Sequence, residues 1–290
     1  MRKTLLIFGC GYSARSVAQN LVLKGWTVFG TTRSEDNFND LLRFKIQPVL
    51  WDDVNKIKNI LIRGCSLLTS IAPKSSRDEG LERLSEFLTS TKVDVDWLGY
   101  MSSTGVYGDR GGGWVNEDSL LDTKTIQGQA RVVAEKKWKE FAGQIDVPLF
   151  IFRIAGIYGP RRSIFDRLRA GKVQKIIKAD QFFNRIHVED IAGVISLALL
   201  NPQLSGVFNL SDDLPTAGCD VIDEATRIMN VEPLPQIDFS DAELTDMAKS
   251  FYSESKRVSN KKLIKILNYS LKHSTYLSGL QSIFTNESRY

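Results

Sequence analysis

Residues 4–14 read TLLIFGCGYSA and join an apolar run of strand length to a turn that contains two glycines. The stretch that follows, YSARSVAQNLVLKG (12–25), has helical periodicity and ends at Gly25. A buried strand, a glycine turn and a helix, in that order, are typical of the first unit of a parallel α/β sheet. The opening of the chain therefore predicts a βα unit, and we expect further units of the same kind after it.

The glycine turn fits the pattern G-x-G-x-x-A of dinucleotide-binding proteins. Gly9 allows the tight turn, Gly11 lets the backbone approach a pyrophosphate, and Ala14 lets the helix pack close to the strand. The backbone N–H groups at the start of the helix, around Tyr12 and Ser13, would face the phosphates. The sequence therefore predicts a dinucleotide site that includes these five residues.

The end of the second predicted strand bears on which dinucleotide binds. An acidic residue about 20 positions after the glycine turn holds the ribose hydroxyls of NAD, but Thr32, Arg33 and Ser34 stand there in this chain. A guanidinium between two hydroxyl side chains suits a 2′-phosphate, so the sequence favours NADP, with NAD as the alternative. Arg33 is also able to stack on the adenine of either cofactor. Asp52 stands at the end of the third strand. It either accepts a hydrogen bond from the adenine amino group or is a solvated residue at the strand end.

Strands and helices alternate through the first two-thirds of the chain. The predicted strands are 4–9, 26–33, 47–53, 65–73, 95–103, 147–156 and 206–211, and the predicted helices are 12–25, 78–90, 129–142, 162–173, 188–200 and 241–250. Continuous apolar strands separated by helices indicate a parallel sheet that is covered on both faces. The predicted fold class is therefore α/β, a doubly wound Rossmann sheet with a small C-terminal substrate lobe.

The alternation breaks after Tyr158, which sets the predicted domain boundaries. Residues 1–160, with 184–212 returning to them, are assigned to the dinucleotide-binding domain, and residues 161–183 and 213–290 to the substrate lobe. Within the lobe, SDAE (240–243) has the pattern of a capping box and predicts the start of the last helix listed above.

Composition excludes several classes of protein. The chain has 290 residues, and its net charge of +4 arises from 38 basic and 34 acidic residues, which is too mild to indicate nucleic acid. The densest basic run is predicted to lie on a solvated helical face; it consists of Lys256, Arg257, Lys261, Lys262 and Lys265. Three scattered cysteines favour a reducing compartment, and the apolar run after residue 4 is too short for a signal peptide or a membrane span. We therefore expect a cytoplasmic protein without a membrane partner.

Three further segments carry a resemblance to a known family. They are SSTGVYG (102–108), RIAGIYGP (153–160) and RIHVEDIA (185–192), each following a predicted strand or opening a helix. In this order they resemble the extended short-chain dehydrogenases/reductases of the NAD(P)-dependent epimerase/dehydratase family. The resemblance covers most of residues 3–212 and is loose beyond them. It implies a small-molecule substrate, and it leaves a homodimer open.

The resemblance also implies roles for particular residues. Ser103 matches the serine or threonine that polarises the reacting carbonyl or alcohol. In the family a tyrosine then transfers the proton, and a lysine four residues later lowers the pKa of that tyrosine and holds the nicotinamide ribose. Here the segment TKTIQGQAR (123–131) places Gln127 at the tyrosine and Arg131 at the lysine. Because an amide does not titrate near pH 7 and a guanidinium stays charged, the chain resembles an atypical branch that lacks the Y-x-x-x-K pair.

Other residues are candidates for substrate or cofactor contacts. The candidate substrate residues are Ser103, Thr104, Tyr107, Trp114, Tyr158, Arg161 and Arg162, and Ala72 is a candidate cofactor contact after the fourth strand. Tyr107 is open to a packing role, Trp114 to a solvated hairpin, and the two arginines to a surface role. Phe182 and Phe183 either line the pocket or fill the core of the lobe.

Two functions remain open at this point. The first is an oxidoreductase or epimerase-like enzyme of atypical mechanism that acts on an anionic, sugar-nucleotide-like substrate, with Ser103, Gln127 and Arg131 at the reacting centre. The second is a non-catalytic NADP(H)-binding sensor or regulatory protein. An enzyme needs a proton donor in the pocket, whereas a sensor does not.

Overall fold

A computed structural model describes residues 3–75, 77–90 and 92–287 of the chain. The strands are β1 (Thr4–Phe8), β2 (Thr27–Thr32), β3 (Gln47–Leu50), β4 (Cys65–Thr69), β5 (Val95–Ser103), β6 (Trp114–Val115), β7 (Leu149–Ile154), β8 (Gly156–Tyr158), β9 (Lys175–Ile177), β10 (Arg185–His187), β11 (Gly206–Leu210), β12 (Gln236–Asp238) and β13 (Arg257–Val258). The helices are α1 (Tyr12–Leu23), α2 (Phe38–Leu42), α3 (Val54–Arg63), α4 (Glu79–Ser90), α5 (Ile126–Ile145), α6 (Ile164–Arg169), α7 (Val188–Leu200), α8 (Gly218–Met229), α9 (Asp246–Tyr252), α10 (Lys261–Leu267) and α11 (Tyr276–Glu287).

Seven parallel strands form the central sheet, in the order β11-β7-β5-β4-β1-β2-β3. The chain moves outward from β1 to β3 and then returns to the other side of β1 at β4. In open α/β sheets ligands bind outside the carboxyl ends of the strands at such a reversal. The predicted doubly wound α/β fold is confirmed, and its topology places a ligand cleft above β1, β4 and β5.

The strand that opened the sequence is buried on both faces of the sheet. Leu5 and Ile7 of β1 belong to a core that includes side chains of α1 and α7. Leu6 and Phe8 belong to a second core with side chains of α3, α4 and α5. Because successive side chains of a strand point to opposite faces, a sheet with helices on both sides needs continuous apolar strands rather than alternating ones.

Short strand pairs lie outside the central sheet, and the C-terminal lobe has a core of its own. The pairs are β10 with β8, β12 with β9 and β13 with β6. The core includes Phe165 from α6, Val221 from α8 and Leu280 from α11. Residues 185–210 return from the lobe region through β10 and α7 and supply β11, the edge strand of the central sheet.

Asp190 in α7 connects the lobe to the sheet. Its carboxylate accepts hydrogen bonds from the backbone N–H groups of Lys272 (2.6 Å) and His273 (3.0 Å) and from the hydroxyl of Tyr269 (3.1 Å). The carboxylate is fully buried, and three donors satisfy it there, as a buried charge requires. The RIHVEDIA segment is therefore structural at this residue.

One helix starts later than its predicted capping box. The N–H and the hydroxyl of Ser240 both donate to Asp238, at 2.9 and 2.8 Å, and no helix begins at residue 241. Helix α9 begins at Asp246 instead, where the side chain of Thr245 accepts the N–H of Ala248 at 3.3 Å. The predicted start was wrong, because the two hydrogen bonds from Ser240 to Asp238 form a local turn at this point instead of the first turn of a helix.

A buried ion pair fixes α5 against the sheet. Arg153 in β7 binds Glu135 in α5 through two nitrogens, with Nη2 to Oε2 at 2.8 Å and Nε to Oε1 at 3.1 Å, and both side chains are almost fully buried. Ser102 at the end of β5 donates to the same carboxylate at 2.6 Å. Burial acts to lower the pKa of Arg153, but the hydrogen bonds and charge of Glu135 raise it above its usual value. The pair thus sets where the first turns of α5 stand relative to β5.

Replacing Arg153 with methionine is expected to lower the free energy of unfolding by about 3–5 kcal/mol, because it leaves the carboxylate of Glu135 buried without its partner. Urea denaturation followed by circular dichroism measures the change. Lys136→Met is the matched control, because Lys136 forms an exposed pair with Glu140 at 3.8 Å and such pairs contribute about 0–1 kcal/mol. Equal, small losses in both variants would contradict the central role of the buried pair.

Candidate functional site

The main cleft lies at the carboxyl ends of the strands, between the sheet and the lobe, and has a volume of about 890 Å³. Its cofactor side is formed by the glycine turn, its floor by residues that follow β5 and β7, and one wall by the start of α5. The opposite wall comes from the lobe and includes Phe182, Phe183 and Phe251. Phe182 and Phe183, for which a core position was open, therefore line the cleft.

The glycine turn has the geometry that a pyrophosphate requires. Gly9 has a φ of +79°, and its N–H donates to the hydroxyl of Thr31 at 2.8 Å. A Cβ atom on Gly11 would meet no other atom within 4 Å, so the space in front of this residue is open. Gly11, Tyr12, Ser13 and Ala14 all line the cleft, and no side chain caps α1. Free N–H groups at a helix start beside open space fit a phosphate group.

The predicted adenosine residues follow β2, β3 and β4 at the same edge of the sheet. Arg33 lies exposed after β2 and donates to Glu79 at 2.8 Å, and the ammonium group of Lys74 lies 3.5 Å from the same side chain. Partial burial acts to raise the pKa of Glu79, but Arg33 and Lys74 together hold it below its usual value. Two cations therefore converge on one carboxylate at the position where the sequence predicts a 2′-phosphate.

The remaining residues predicted to contact the adenosine make only local hydrogen bonds or are exposed to solvent. The hydroxyl of Thr32 donates to the carbonyl of Ser34 at 3.2 Å, and the side chain of Ser34 caps a short 3-10 turn. Asp52 and Ala72 are exposed, after β3 and β4 respectively. None of these four residues is among those that line the cleft.

The predicted reacting centre is assembled at the floor and one wall of the cleft. Ser103 ends β5 and Thr104 begins the 3-10 turn that follows, and the hydroxyl of Ser103 accepts the N–H of Gly105 at 3.1 Å. Gln127 and Arg131 lie four residues apart in the first turns of α5 and both line the cleft. Nη1 of Arg131 donates to the carbonyl of Met101 at 2.8 Å, which ties α5 to β5 above the buried pair.

Tyr12 is the tyrosine that the described residues place in the cleft wall. Its hydroxyl donates to the carbonyl of Pro160 at 3.0 Å. Burial is the main cause that raises the pKa of Tyr12 to about 12, against the charge of Arg162, whose guanidinium carbon lies 5.7 Å from the ring centre. Tyr12 is therefore a poor proton carrier near neutral pH, whereas Arg162 is a cation at the cleft, as predicted.

Three predicted substrate residues are not among those that line the cleft. Tyr107 is fully buried, with its hydroxyl 2.6 Å from Asn209 Oδ1 and 3.0 Å from a nitrogen of Arg153. Tyr158 packs edge-on against His187 in the lobe core. Arg161 is exposed beside the cleft-lining Arg162. Tyr107 therefore has the packing role, and Arg161 the surface role, that the sequence left open. Tyr158 fills the interior instead of lining the cleft, so its predicted position was wrong.

The glycine loop with Trp114 is also not a flap over the cleft. Trp114 is 62% exposed, and its strand pairs with β13 of the lobe. The N–H groups of Arg110 and Gly112 both donate to the carbonyl of Ser255, at 2.9 and 3.0 Å. These backbone bonds hold the loop against the lobe, and Trp114 has the solvated position that the sequence left open instead of lining the cleft.

Sequence reasoning missed an ion pair in the lobe wall of the cleft. Lys256 is only 7% exposed, and its ammonium group lies 2.7 Å from the carboxylate of Glu254; both residues line the cleft. Lys256 was predicted to lie on a solvated helical face, which was wrong because residues 254–258 precede the helix α10 and lead into β13. The alternation Glu254, Lys256, Val258 has the period of a strand, and it is the signal that could have found the pair.

His187, Glu189 and His273 form a group whose ligand atoms all lie within 4.8 Å of one another. The N–H of Glu189 donates to Nδ1 of His187 at 3.2 Å, so in the neutral ring Nε2 carries the proton and has no lone pair for a metal. Lys272 binds the same carboxylate oxygen of Glu189 that His273 contacts. His273 and Lys272 thus share the carboxylate of Glu189, and Nε2 of His187 is buried without a hydrogen-bond partner.

His187 is expected to make stability depend on pH. Burial is the main cause that lowers its pKa from 6.5 to about 4, so the folded protein favours the neutral ring. A depressed folded pKa stabilises the fold above pH 6.5, and the contribution is lost as the pH falls towards 4. We expect unfolding free energies measured in urea to fall by roughly 2–3 kcal/mol across this window.

The matched variant is His187→Asn, which keeps an acceptor for the N–H of Glu189 but does not titrate. Its unfolding free energy should change less over the same pH range. An unaltered pH slope in this variant would assign the loss to other groups.

Comparison with known proteins places the chain in a family. No known family model matches the sequence. A solved structure from Silicibacter pomeroyi DSS, described as a functionally unknown conserved protein, is 38% identical, covers 98% of this chain and 99% of its own, and has a TM-score of 0.89. The chain belongs to the same family as this Silicibacter protein. Protein YeeZ of Escherichia coli K12, another relative, is 25% identical over 241 residues, which are 80% of this chain and 85% of YeeZ.

More distant structures in the comparison are epimerase folds. A human epimerase family protein, SDR39U1, solved with NADPH, is 15% identical over 99% of this chain and all of its own, with a TM-score of 0.77. A UDP-glucuronic acid 4-epimerase of Bacillus cereus, solved with NAD, is 16% identical over 99% of both chains, with a TM-score of 0.76. At these identities the likeness concerns the fold, and the Silicibacter family thus has the α/β fold of the epimerase/dehydratase structures. No helix among the described residues is long and apolar enough to span a membrane.

Proposed function

We propose that the chain is an NADP(H)-dependent oxidoreductase of the epimerase/dehydratase type, with an atypical mechanism and an anionic, sugar-nucleotide-like substrate. The observation that carries the cofactor is the uncapped start of α1 beside the open space at Gly11, in a cleft at the strand-order reversal. The distant neighbours with NADPH and with NAD support a nicotinamide cofactor. Arg162 at the cleft supports an anionic substrate.

The preference for NADP rests on Arg33 and Lys74. Both cations contact the carboxylate of Glu79, which takes the place that a phosphate of the cofactor would take. A 2′-phosphate carries more negative charge than a carboxylate and three strong acceptor oxygens, so it is able to compete for both side chains. Glu79 therefore acts as an internal competitor that lowers the affinity for NADP without reversing the preference.

The residues at the floor of the cleft position the reacting groups. The hydroxyl of Ser103 orients a carbonyl or alcohol oxygen, and Arg131 holds a hydroxyl of the cofactor ribose from its fixed place on Met101. Gln127 is able to donate and accept hydrogen bonds but transfers no proton near pH 7. When bound, the nicotinamide supplies the two-electron redox step, and the protein must supply the proton from another side chain.

A second function is favoured by one observation. Gln127 and Arg131 occupy the wall of the cleft where the resemblance expects a tyrosine and a lysine. A protein that binds NADP(H) and reports its redox state to a partner needs no proton donor there. The two functions can be distinguished by measurement, because the sensor binds NADPH but does not catalyse its oxidation by a carbonyl compound.

We expect the protein to bind NADPH at least tenfold more tightly than NADH. Arg33→Ala should reduce the affinity for NADPH at least tenfold and leave NADH within about twofold, because only the first cofactor carries the 2′-phosphate. A tenfold change corresponds to about 1.4 kcal/mol, within reach of one charged contact. Titration followed by the fluorescence of the bound nicotinamide gives both dissociation constants.

Two variants make this test specific. Glu79→Gln should raise the affinity for NADPH, because it removes the competing charge from Arg33 and Lys74. Arg77→Ala is the matched control: Arg77 forms a similar exposed pair with Glu82 at 2.8 Å, one helical turn from Glu79. Equal affinities for the two cofactors in the unmodified protein would refute the role of Arg33, and no binding of either would refute the proposed function.

A further inference from the structure

Lys256 has a spare hydrogen-bond donor in the cleft. Its ammonium group donates to the carbonyl of Gly108 at 2.9 Å and to Glu254 Oε2 at 2.7 Å. An ammonium group has three donors, and the described residues supply these two acceptors. The side chain is almost fully buried in protein and yet forms part of the cleft wall, so the third N–H is the one available to a ligand.

The pair stands against the segment that carries Gln127. Oε1 of Glu254 lies 3.4 Å from the hydroxyl of Thr123, which lies 3.0 Å from the hydroxyl of Thr125, the cap of α5. A Cβ atom on Gly128 would lie 2.2 Å from Thr123 Oγ1, so α5 packs directly on this threonine. Glu254 and Lys256 therefore approach the start of α5 from the lobe, on the side of the cleft opposite the sheet.

Anchoring the lobe does not account for a buried lysine at this position. Ser255, between the two charged residues, already binds the loop at residues 109–112: its carbonyl accepts two N–H groups, and its own N–H donates to Asp109 at 2.7 Å. Its hydroxyl donates to the carbonyl of Asp180 at 2.6 Å. Because a buried ion pair adds little stability over apolar residues of similar volume, the pair at 254 and 256 calls for another role.

Four other polar side chains of the cleft wall are unsuited to proton transfer. Arg131 and Arg162 remain charged at any physiological pH, and Gln127 does not titrate. The hydroxyl of Tyr12 is held by Pro160. Lys256 contacts the carboxylate of Glu254 directly. The hydrogen bond from the N–H of Ser255 is the main cause that lowers the pKa of Asp109, and the charge of Lys256 adds to it.

We propose that Lys256 is the proton donor of this cleft and that Glu254 positions it, in place of the tyrosine that the chain lacks. The proposal rests on the proposed function. In the reduction of a carbonyl substrate, the carbon gains a hydride, with NADPH as the two-electron reductant, and the π electron pair moves onto oxygen. That oxygen forms a bond to a proton of the Lys256 ammonium group, whose N–H bond breaks. The neutral amine then regains a proton from water, and the products are an alcohol and NADP⁺.

The experiment compares Lys256→Ala and Lys256→Arg with the unmodified protein. NADPH is supplied with three carbonyl probes, 9,10-phenanthrenequinone, diacetyl and a UDP-4-keto-hexose, and its oxidation is followed by absorbance. We expect the unmodified protein to reduce at least one probe. Lys256→Ala should lower kcat at least 100-fold, within the range of general acid catalysis, and leave the dissociation constant of NADPH within twofold.

Two further readings distinguish proton donation from a structural role. Lys256→Arg keeps the charge and the contact with Glu254 but holds its proton, so it should restore KM and thermal stability without restoring kcat. Methylamine should raise the kcat of Lys256→Ala at least tenfold, since a small amine fits the space left by the side chain. Lys261→Met, in the exposed first turn of α10, is the control and should behave as the unmodified protein.

Each opposite outcome refutes the proposal. A kcat that survives in Lys256→Ala, or that Lys256→Arg restores in full, would show that Lys256 does not donate the proton. An unmodified protein that binds NADPH but reduces none of the three probes would refute the donor role and favour the sensor. Failure to bind NADPH at all would refute the proposed function, and the role of Lys256 with it.

Discussion

The ion pair between Arg153 and Glu135 is the interaction on which the cleft depends. It joins the sixth strand of the sheet in chain order to the long helix α5 in the interior, and Ser102 donates to the same carboxylate from β5. The helix cannot slide or rotate without leaving a buried charge unpaired, which costs several kcal/mol. Ser103, one residue beyond Ser102, and Arg131, one turn before Glu135, are thereby held at the cleft in fixed relation to each other.

This framework supports a cleft with two different halves. At the cofactor half, the glycine turn and the free start of α1 match the general design of dinucleotide sites. At the chemical half, the fold keeps the serine turn and the helix but carries an amide and a guanidinium where the resemblance expects proton chemistry. A lysine and a glutamate enter this half from the lobe, so the lobe contributes more than the shape of the pocket.

The sequence predicted the sheet well because burial on both faces leaves a direct record in the strands. Runs such as TLLIF are continuous, and each was placed within a few residues of its observed strand. The glycine turn could be predicted equally well, since its backbone conformation limits which residues fit there. The sequence left Tyr107 open between the pocket and the core, because the partner of its hydroxyl, Asn209, is distant in sequence. The helix start at Ser240 was wrong because Asp238 holds this residue in a local turn. The prediction for Lys256 was wrong because a run of basic residues is taken to be solvated until its strand pairing is known.

The most direct test of the account is a crystal structure of the protein soaked or grown with NADPH. We predict the pyrophosphate at the N-terminus of α1 beside Gly11, the 2′-phosphate between Arg33 and Lys74, and the nicotinamide ring over the floor at Ser103, with Lys256 on the opposite wall. If NADPH saturates the protein in solution but the crystal structure shows the nucleotide bound elsewhere, or the glycine turn without a phosphate, the account is contradicted.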